Sequence, residues 1–160
     1  MSAASPAANT EGGFYPPSAF YFKVVFGNRA NSPDSSFQDV SGISSEMSTE
    51  EVPEGGENRF VHKLPTAIKH PNLELKRGIA PSTSPLVVWC QTVMERGFIE
   101  RIEPQTIRVY LLDEKAQPLR GWVFVNAFPV KWEVDGFNST KNEVAIEKIT
   151  FSYTYSKRIK

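Results

Sequence analysis

Two histidines, one cysteine and a run of glutamates are the side chains with which this chain could do chemistry. His62 and His70 are the only imidazoles and stand eight positions apart. A protein zinc site needs three or four ligands, and neither a nearby cysteine nor an HExxH spacing supplies them, so no metal site is expected. Cys90 is the single thiol. It can form no disulfide within the chain and no thiolate cluster, while a bond to another chain stays open. Glu50, Glu51, Glu54 and Glu57 could be imagined as an acid and base pair. That chemistry needs carboxyls driven apart in pKa by burial or neighbours. These four instead flank Gly55 and Gly56 in a polar stretch, where carboxylates are solvated or meet the cations of a partner. Gly55-Gly56 is not followed by Gly-Lys-Ser/Thr, and no GxSxG occurs, so neither a phosphate-binding loop nor a hydrolase elbow is present. No catalytic residue, no cofactor site and no enzymatic activity are expected.

The elements that would position these residues are mainly strands. Residues 1–19 are rich in Ala, Ser, Gly and Pro and read as a flexible arm, with residues 20–160 as a single domain. Phe20, Phe22, Val24 and Phe26 share one face of a first strand at period two. Residues 27–36 read as a polar turn region, and residues 37–47 as a second strand in which Gly42 marks a bulge or a close backbone approach. Residues 60–64 and 73–76 alternate apolar and polar, each a strand with one wet face, and Pro65 and Pro71 bound the segment between them.

One helix is expected, over about residues 85–96. Ser84 suits the N-cap, Pro85 the first helical position and Gly97 the position past the end. Leu86, Trp89, Cys90 and Val93 fall at i, i+3, i+4 and i+7, one apolar stripe for packing on a sheet. Cys90 on that stripe reads as a small buried hydrophobe. Three long strands follow at residues 106–112, 121–134 and 143–155. Pro129 marks an edge, bend or bulge in the second of them. The third shifts its apolar phase from Val144 and Ile146 to Ile149, Phe151, Tyr153 and Tyr155, which predicts a bulge near Glu147-Lys148. The total is a mainly β domain, a barrel or sandwich of about six or seven strands with one flanking helix. Several strands are apolar on both faces, which suits an oligomer.

The chain has 160 residues and a formal net charge of zero, so no global electrostatic case exists for nucleic acid or membrane. The distribution is uneven: the first 60 residues hold three of the 18 basic side chains but eight of the 18 acidic ones. Such polarity within a neutral chain suits self-complementary assembly. The first residues lack the basic and apolar regions of a signal peptide, and no window reaches the apolar length of a membrane span.

Five short motifs occur in a fixed order. They are Phe37-Gln38-Asp39-Val40-Ser41-Gly42, Leu75-Lys76-Arg77-Gly78, Trp89 on the helix, Val125-Asn126-Ala127-Phe128-Pro129, and Asn142-Glu143-Val144-Ala145-Ile146-Glu147. Together they resemble the tail-tube family of contractile phages, which also serves extracellular contractile injection systems and is related in fold to the type VI secretion tube protein. The resemblance spans roughly residues 18–156. It implies a β-barrel subunit with a helix on its flank, six to a ring, and rings stacked into a hollow tube inside a sheath. It also implies a hairpin or loop after the second strand, here residues 46–64, that reaches neighbouring subunits or the next ring. The contact residues so implied are Glu50, Glu51, Glu54, Gly55, Gly56, Glu57, Asn58 and Arg59.

The implied partners are further copies of the chain, adjacent rings, baseplate or spike proteins and the sheath. Nucleic-acid sequence recognition is not among them. The particle would be a phage tail or phage tail-like assembly, built from a subunit made in the cytoplasm. This chain departs from the commonest pattern. A Glu-Tyr-Arg-like segment and a Lys-Met-Pro-Gly-like one are replaced by Glu50-Glu51-Val52 and Lys63-Leu64-Pro65-Thr66, and the N-terminal arm is long. Both departures resemble a specialised ring, the tube initiator beside the baseplate, with the repeating tube subunit as the alternative and a tube cap behind both. A monomeric ligand-binding barrel and a secreted effector are the readings from other classes.

Overall fold

The computed structural model describes residues 22–27, 33–56, 59–79, 83–99, 101–135, 140 and 145–160. The expected arm at 1–19 lies outside these residues, as do Glu57 and Asn58. Ten strands and one helix are described. In chain order the first six strands are β1 (Phe22–Phe26), β2 (Pro33–Phe37), β3 (Asp39–Ser41), β4 (Glu46–Val52), β5 (His62–Lys69) and β6 (Leu73–Gly78). The helix α1 (Pro85–Arg96) follows, with a short 3-10 turn at Gly97–Ile99. The remaining strands are β7 (Gln105–Leu112), β8 (Pro118–Val134), β9 (Ile146–Ser152) and β10 (Tyr155–Arg158).

Eight strands form one antiparallel sheet in the order β2-β1-β7-β8-β9-β6-β3, with β10 also on β8. Both ends of that order come from one stretch of chain, which pairs β1 through β2 and β6 through β3. Between them the Gln38 amide donates to the Lys76 carbonyl at 2.9 Å. The sheet thus rolls around its core and meets itself at a strand corner, as a sandwich rather than a ladder-closed barrel. Core residues arrive at period two: Leu73 and Leu75 from β6, Ile107 and Val109 from β7, Ile149 and Phe151 from β9, all fully buried.

More strands occur than the six or seven expected, because three predicted segments divide. The turn region 27–36 contains β2. The stretch 37–47 breaks at Gly42, whose φ is +89° and where a β-carbon would overlap the Asn72 carbonyl. Only glycine fits both constraints there. The stretch 143–155 divides into β9 and β10, which pair with different halves of β8.

The bulge expected near Glu147-Lys148 is not in β9, whose register with β6 runs unbroken from Ile146 to Phe151. The irregularities lie in β8 instead, at Asn126 with φ +54° and beside Pro129, where Lys131 rather than Val130 continues the pairing. The apparent phase shift has another cause. Glu147 occupies the core phase of Ile149 and Phe151, and only 2 % of it is exposed.

The helix runs between the predicted ends, with Gly97 at φ +57° just past its last turn. Ser84 precedes it without a side-chain capping bond; its hydroxyl instead accepts from Arg77 Nη2 at 3.2 Å. Leu86, Val87 and Cys90 are buried, so the buried stripe includes Val87, while Trp89 and Val93 are half-buried. Trp89 stacks on Phe151 with ring centroids 5.7 Å apart and meets Phe26 edge-on at 5.9 Å. Full burial of Leu86 and Val87 contributes about 1.5–3 kcal/mol each to holding the helix on the sheet.

Candidate assembly surfaces

The strands β4 and β5 form a separate two-stranded sheet. Cross-strand partners are Glu46 with Lys69, Met47 with Ile68, Thr49 with Pro65, Glu50 with Leu64, Glu51 with Lys63 and Val52 with His62. Pro65 therefore lies inside β5, where it coincides with the register shift that follows Met47, and does not bound the strand. A proline is tolerated there because the ladder is already interrupted.

The sequence predicts one wet face for this segment; every residue of β5 is exposed. Met47, Leu64 and Ile68 are each more than half exposed. An isolated two-stranded hairpin is marginal in water, and apolar side chains on it gain nothing until something covers them.

Of the predicted contact residues, Glu50 and Glu51 lie on β4, and Gly55 and Gly56 form the turn beyond it, with φ +96° at Gly56. Glu54 approaches His62 Nε2 at 3.2 Å, a contact within its own hairpin. Arg59 is exposed on the return. His62 and His70 serve separate contacts. His70 sits at the base of the hairpin, its ring 4.0 Å above Tyr153 and its Nε2 3.1 Å from the Thr154 carbonyl, which fastens β5 to the break between β9 and β10.

The helix side of the molecule is anchored by a buried ionic cluster that period-two reading passed over. Arg77 and Glu147 are directly opposite on β6 and β9. Arg77 Nε donates to Glu147 Oε2 at 3.0 Å, and Trp132 Nε1 donates to Glu147 Oε1 at 2.7 Å. The guanidinium also lies 4.9 Å from the centre of the Phe37 ring. One ion pair thus ties together β2, β6, β8, β9 and the start of α1. The signal was present: extending Leu73 and Leu75 by two residues reaches Arg77, and extending Phe151 and Ile149 back by two reaches Glu147.

The outer face of β3, β6, β9 and the end of β8 carries charge that is matched within the chain. Lys76 pairs with Asp39 at 3.7 Å, Lys148 with Glu74 at 3.5 Å, and Lys131 with Glu133 at 2.7 Å. The hydrogen bond from Lys131 holds the Glu133 carboxyl below the usual carboxylate range, and the same bond raises the Lys131 ammonium. Among the described residues no cluster of His, Cys, Asp and Glu is arranged to hold a metal ion. No described helix is long and apolar enough to cross a membrane.

Comparison with known proteins follows the same lines. No curated protein sequence matches the chain. Among solved structures, the chain is similar to one from the cryo-EM structure of the anti-feeding prophage baseplate, 6-fold symmetrised. The two are 25% identical over 99% of this chain and 97% of that one, with a TM-score of 0.72. It is similar at 25% identity and a TM-score of 0.74 to a chain of the anti-feeding prophage tube-terminating cap, covering 97% and 98% of the two chains. Hcp1 from Flavobacterium johnsoniae shares the fold at 17% identity and a TM-score of 0.56, over 88% and 95% of the two chains. The family model of the T4-like virus tail tube protein gp19 matches residues 18–157, and the chain belongs to that tail-tube family.

Proposed function

We propose that this chain is a subunit of the inner tube of a contractile injection system or phage tail, forming hexameric rings that stack into a hollow tube. Its ring is the tube initiator, next to the baseplate. The observation that carries the assembly reading is the hairpin: seven strand residues in β4 and eight in β5, hydrogen-bonded to each other in a sheet of their own, with every residue of β5 exposed. Likeness to a baseplate chain of the anti-feeding prophage supports the initiator position. So do the departures at Glu50-Glu51-Val52 and Lys63-Leu64-Pro65-Thr66 from the usual tube pattern. The contact region is Glu50, Glu51, Glu54, Gly55, Gly56, Glu57, Asn58 and Arg59, and Leu86, Trp89, Cys90 and Val93 hold the helix to the sheet.

The partners are copies of the chain, the adjacent tube ring, baseplate or spike proteins and the surrounding sheath. The subunit is made in the cytoplasm and ends in the particle. A cryo-EM reconstruction of the native particle tests this directly. A single ring of this chain at the baseplate end is expected; a ring repeated along the tube makes it the main tube subunit. A chain that stays monomeric in the presence of baseplate and binds a small apolar ligand would sink the tube reading.

A further inference from the structure

We propose that the hairpin of one subunit seats its Glu50–Leu64 face on the outer face of β1, β7, β8 and β10 of a second copy. The inference rests on the self-assembly reading above and adds the receiving surface.

Strand register builds that surface. Val25 is opposite Arg108, Arg108 is opposite Val123, and Val123 is opposite Lys157, one row across four strands. In the next row Lys23 is opposite Tyr110, which is opposite Gly121. These positions alternate with the buried Val24, Val109 and Phe124, so they point away from the core. Lys23, Val25, Arg108 and Tyr110 line one open depression of about 460 Å³. Gly121 keeps the floor low, since a β-carbon there would press on the Tyr110 ring and Ile159 at 3.0–3.1 Å.

Three cations therefore stand over a floor of valine and tyrosine. Among the described residues, register places no carboxylate on this face, and Lys23, Arg108 and Lys157 form no salt bridge. Arg108 spends one donor on the Gly27 carbonyl at 3.1 Å. A guanidinium has five N–H donors, so most remain for a carboxylate.

The hairpin supplies the complement. Its two faces differ because partners opposite one another share a face. One face carries Glu46 with Lys69, Glu50 with Leu64, and Val52 with His62, and Glu54 joins it through its contact with His62. Acid outweighs base there: Glu46, Glu50 and Glu54 stand against Lys69, around an apolar centre of Leu64 and Val52. The other face is balanced, Glu51 against Lys63, and carries Met47 and Ile68. An acidic rim around an aliphatic centre meets a basic rim around an aliphatic centre. Charge sets orientation and encounter, and the apolar contact supplies affinity. Among the described residues the hairpin face is exposed and the receiving face half-buried to exposed, and their complementary charge fits a second copy as the occupant.

The test is a charge exchange in the full-length chain, read by sedimentation velocity and negative-stain images in the presence of baseplate partners. Circular dichroism confirms that each variant is folded. Glu50→Lys with Glu54→Lys, and separately Lys23→Glu with Lys157→Glu, should each lower the assembled fraction about tenfold or more, because like charges then face each other. Combining all four restores assembly to within about threefold of wild type, the signature of direct coupling. A combined variant no better than either half overturns the proposal. So does a hairpin reversal without effect beside a face reversal that abolishes binding of a single-stranded DNA, which would make the face a polyanion site.

A second experiment reads position. Cys90 is buried, so Leu64→Cys with Val123→Cys adds the only accessible thiols. Mild oxidation of the assembled chain should yield a ladder of disulfide-linked oligomers, and its absence from particles that do form overturns the docking. If wild type itself never assembles, the tube reading fails; if wild type assembles and the exchange does not rescue, only the docking fails.

Discussion

In the rolled sheet, β6 alternates buried Leu73, Leu75 and Arg77 with half-buried Glu74, Lys76 and Gly78, whereas in the hairpin all eight residues of β5 are exposed. Both use antiparallel pairing, and both mix charge with aliphatic side chains. On its β3, β6, β9 face the body pairs its charges internally, down to the buried Arg77–Glu147 pair, whereas Lys23, Arg108 and Lys157 on the opposite side form no salt bridge among the described residues. The hairpin leaves Met47, Leu64 and Ile68 in water and its acids largely on one face. Secondary structure without burial is marginal. Under the proposed assembly the hairpin is half of an interface, while the body already buries its own core.

The strongest way to break that contrast is to strike the body at its ionic centre. Glu147→Ala leaves Arg77 buried without its carboxylate and Trp132 without its acceptor, and should cost about 3–5 kcal/mol in denaturant unfolding. A loss below about 1 kcal/mol would show that the cluster is solvated and the body less self-contained than its burial implies. Next comes Trp89→Ala, which removes the ring stacked on Phe151. Because Trp89 is only half-buried, the low end of the usual range applies, about 3 kcal/mol.

The same measurement on the hairpin should give almost nothing. Val52→Ser with Leu64→Ser, on the face proposed to dock, is expected to shift subunit stability by no more than about 0.5 kcal/mol per site, while assembly with partner copies is lost. Equal damage to stability and assembly would erase the distinction between the two regions.

The smallest effect concerns the outer charged face. Glu133 titrates lower in the folded chain than in the unfolded one, chiefly through its hydrogen bond from Lys131. Its contribution is therefore present above the ordinary carboxylate range and lost as pH falls through the depressed folded value. Replacing Glu133 with Gln should flatten acid unfolding slightly in that window. Because the pair is exposed, the difference should shrink as salt is added.

Much of the fold was legible in the residues. Alternation located β1, β6 and β7, and Pro85 and Gly97 bracketed the helix. Gly42 and Pro129 marked real interruptions, because each has a backbone restriction that no partner can change. The misreadings share a cause. Counting only apolar residues hid Arg77 and Glu147, whose charges are tolerated in the core because each sits opposite the other. It also turned their phase into a false bulge. Ser84 was read as a cap from its type, yet its hydroxyl is taken by Arg77 from a strand that ends six residues earlier. The stretch from Glu50 to Arg59 was legible as acidic residues around a glycine turn, but not the exposure of its hairpin on both faces. Alternation cannot report whether either face finds a cover.

Local chemistry was enough to indicate a mainly β fold, with one helix among the described residues, and charge unevenly spread along a neutral chain. Those properties follow from side-chain type and period, which act over a few residues. Which cations are matched and which are left over was settled by pairing between distant strands. Asp39, Lys76, Lys148 and Glu133 meet across four strands and cancel, while Lys23, Arg108 and Lys157 lie on one face across β1, β7, β8 and β10 with no matching carboxylate among the described residues. Register alone decides whether a charge faces its opposite or stays available to another subunit, and register is a property of the folded sheet.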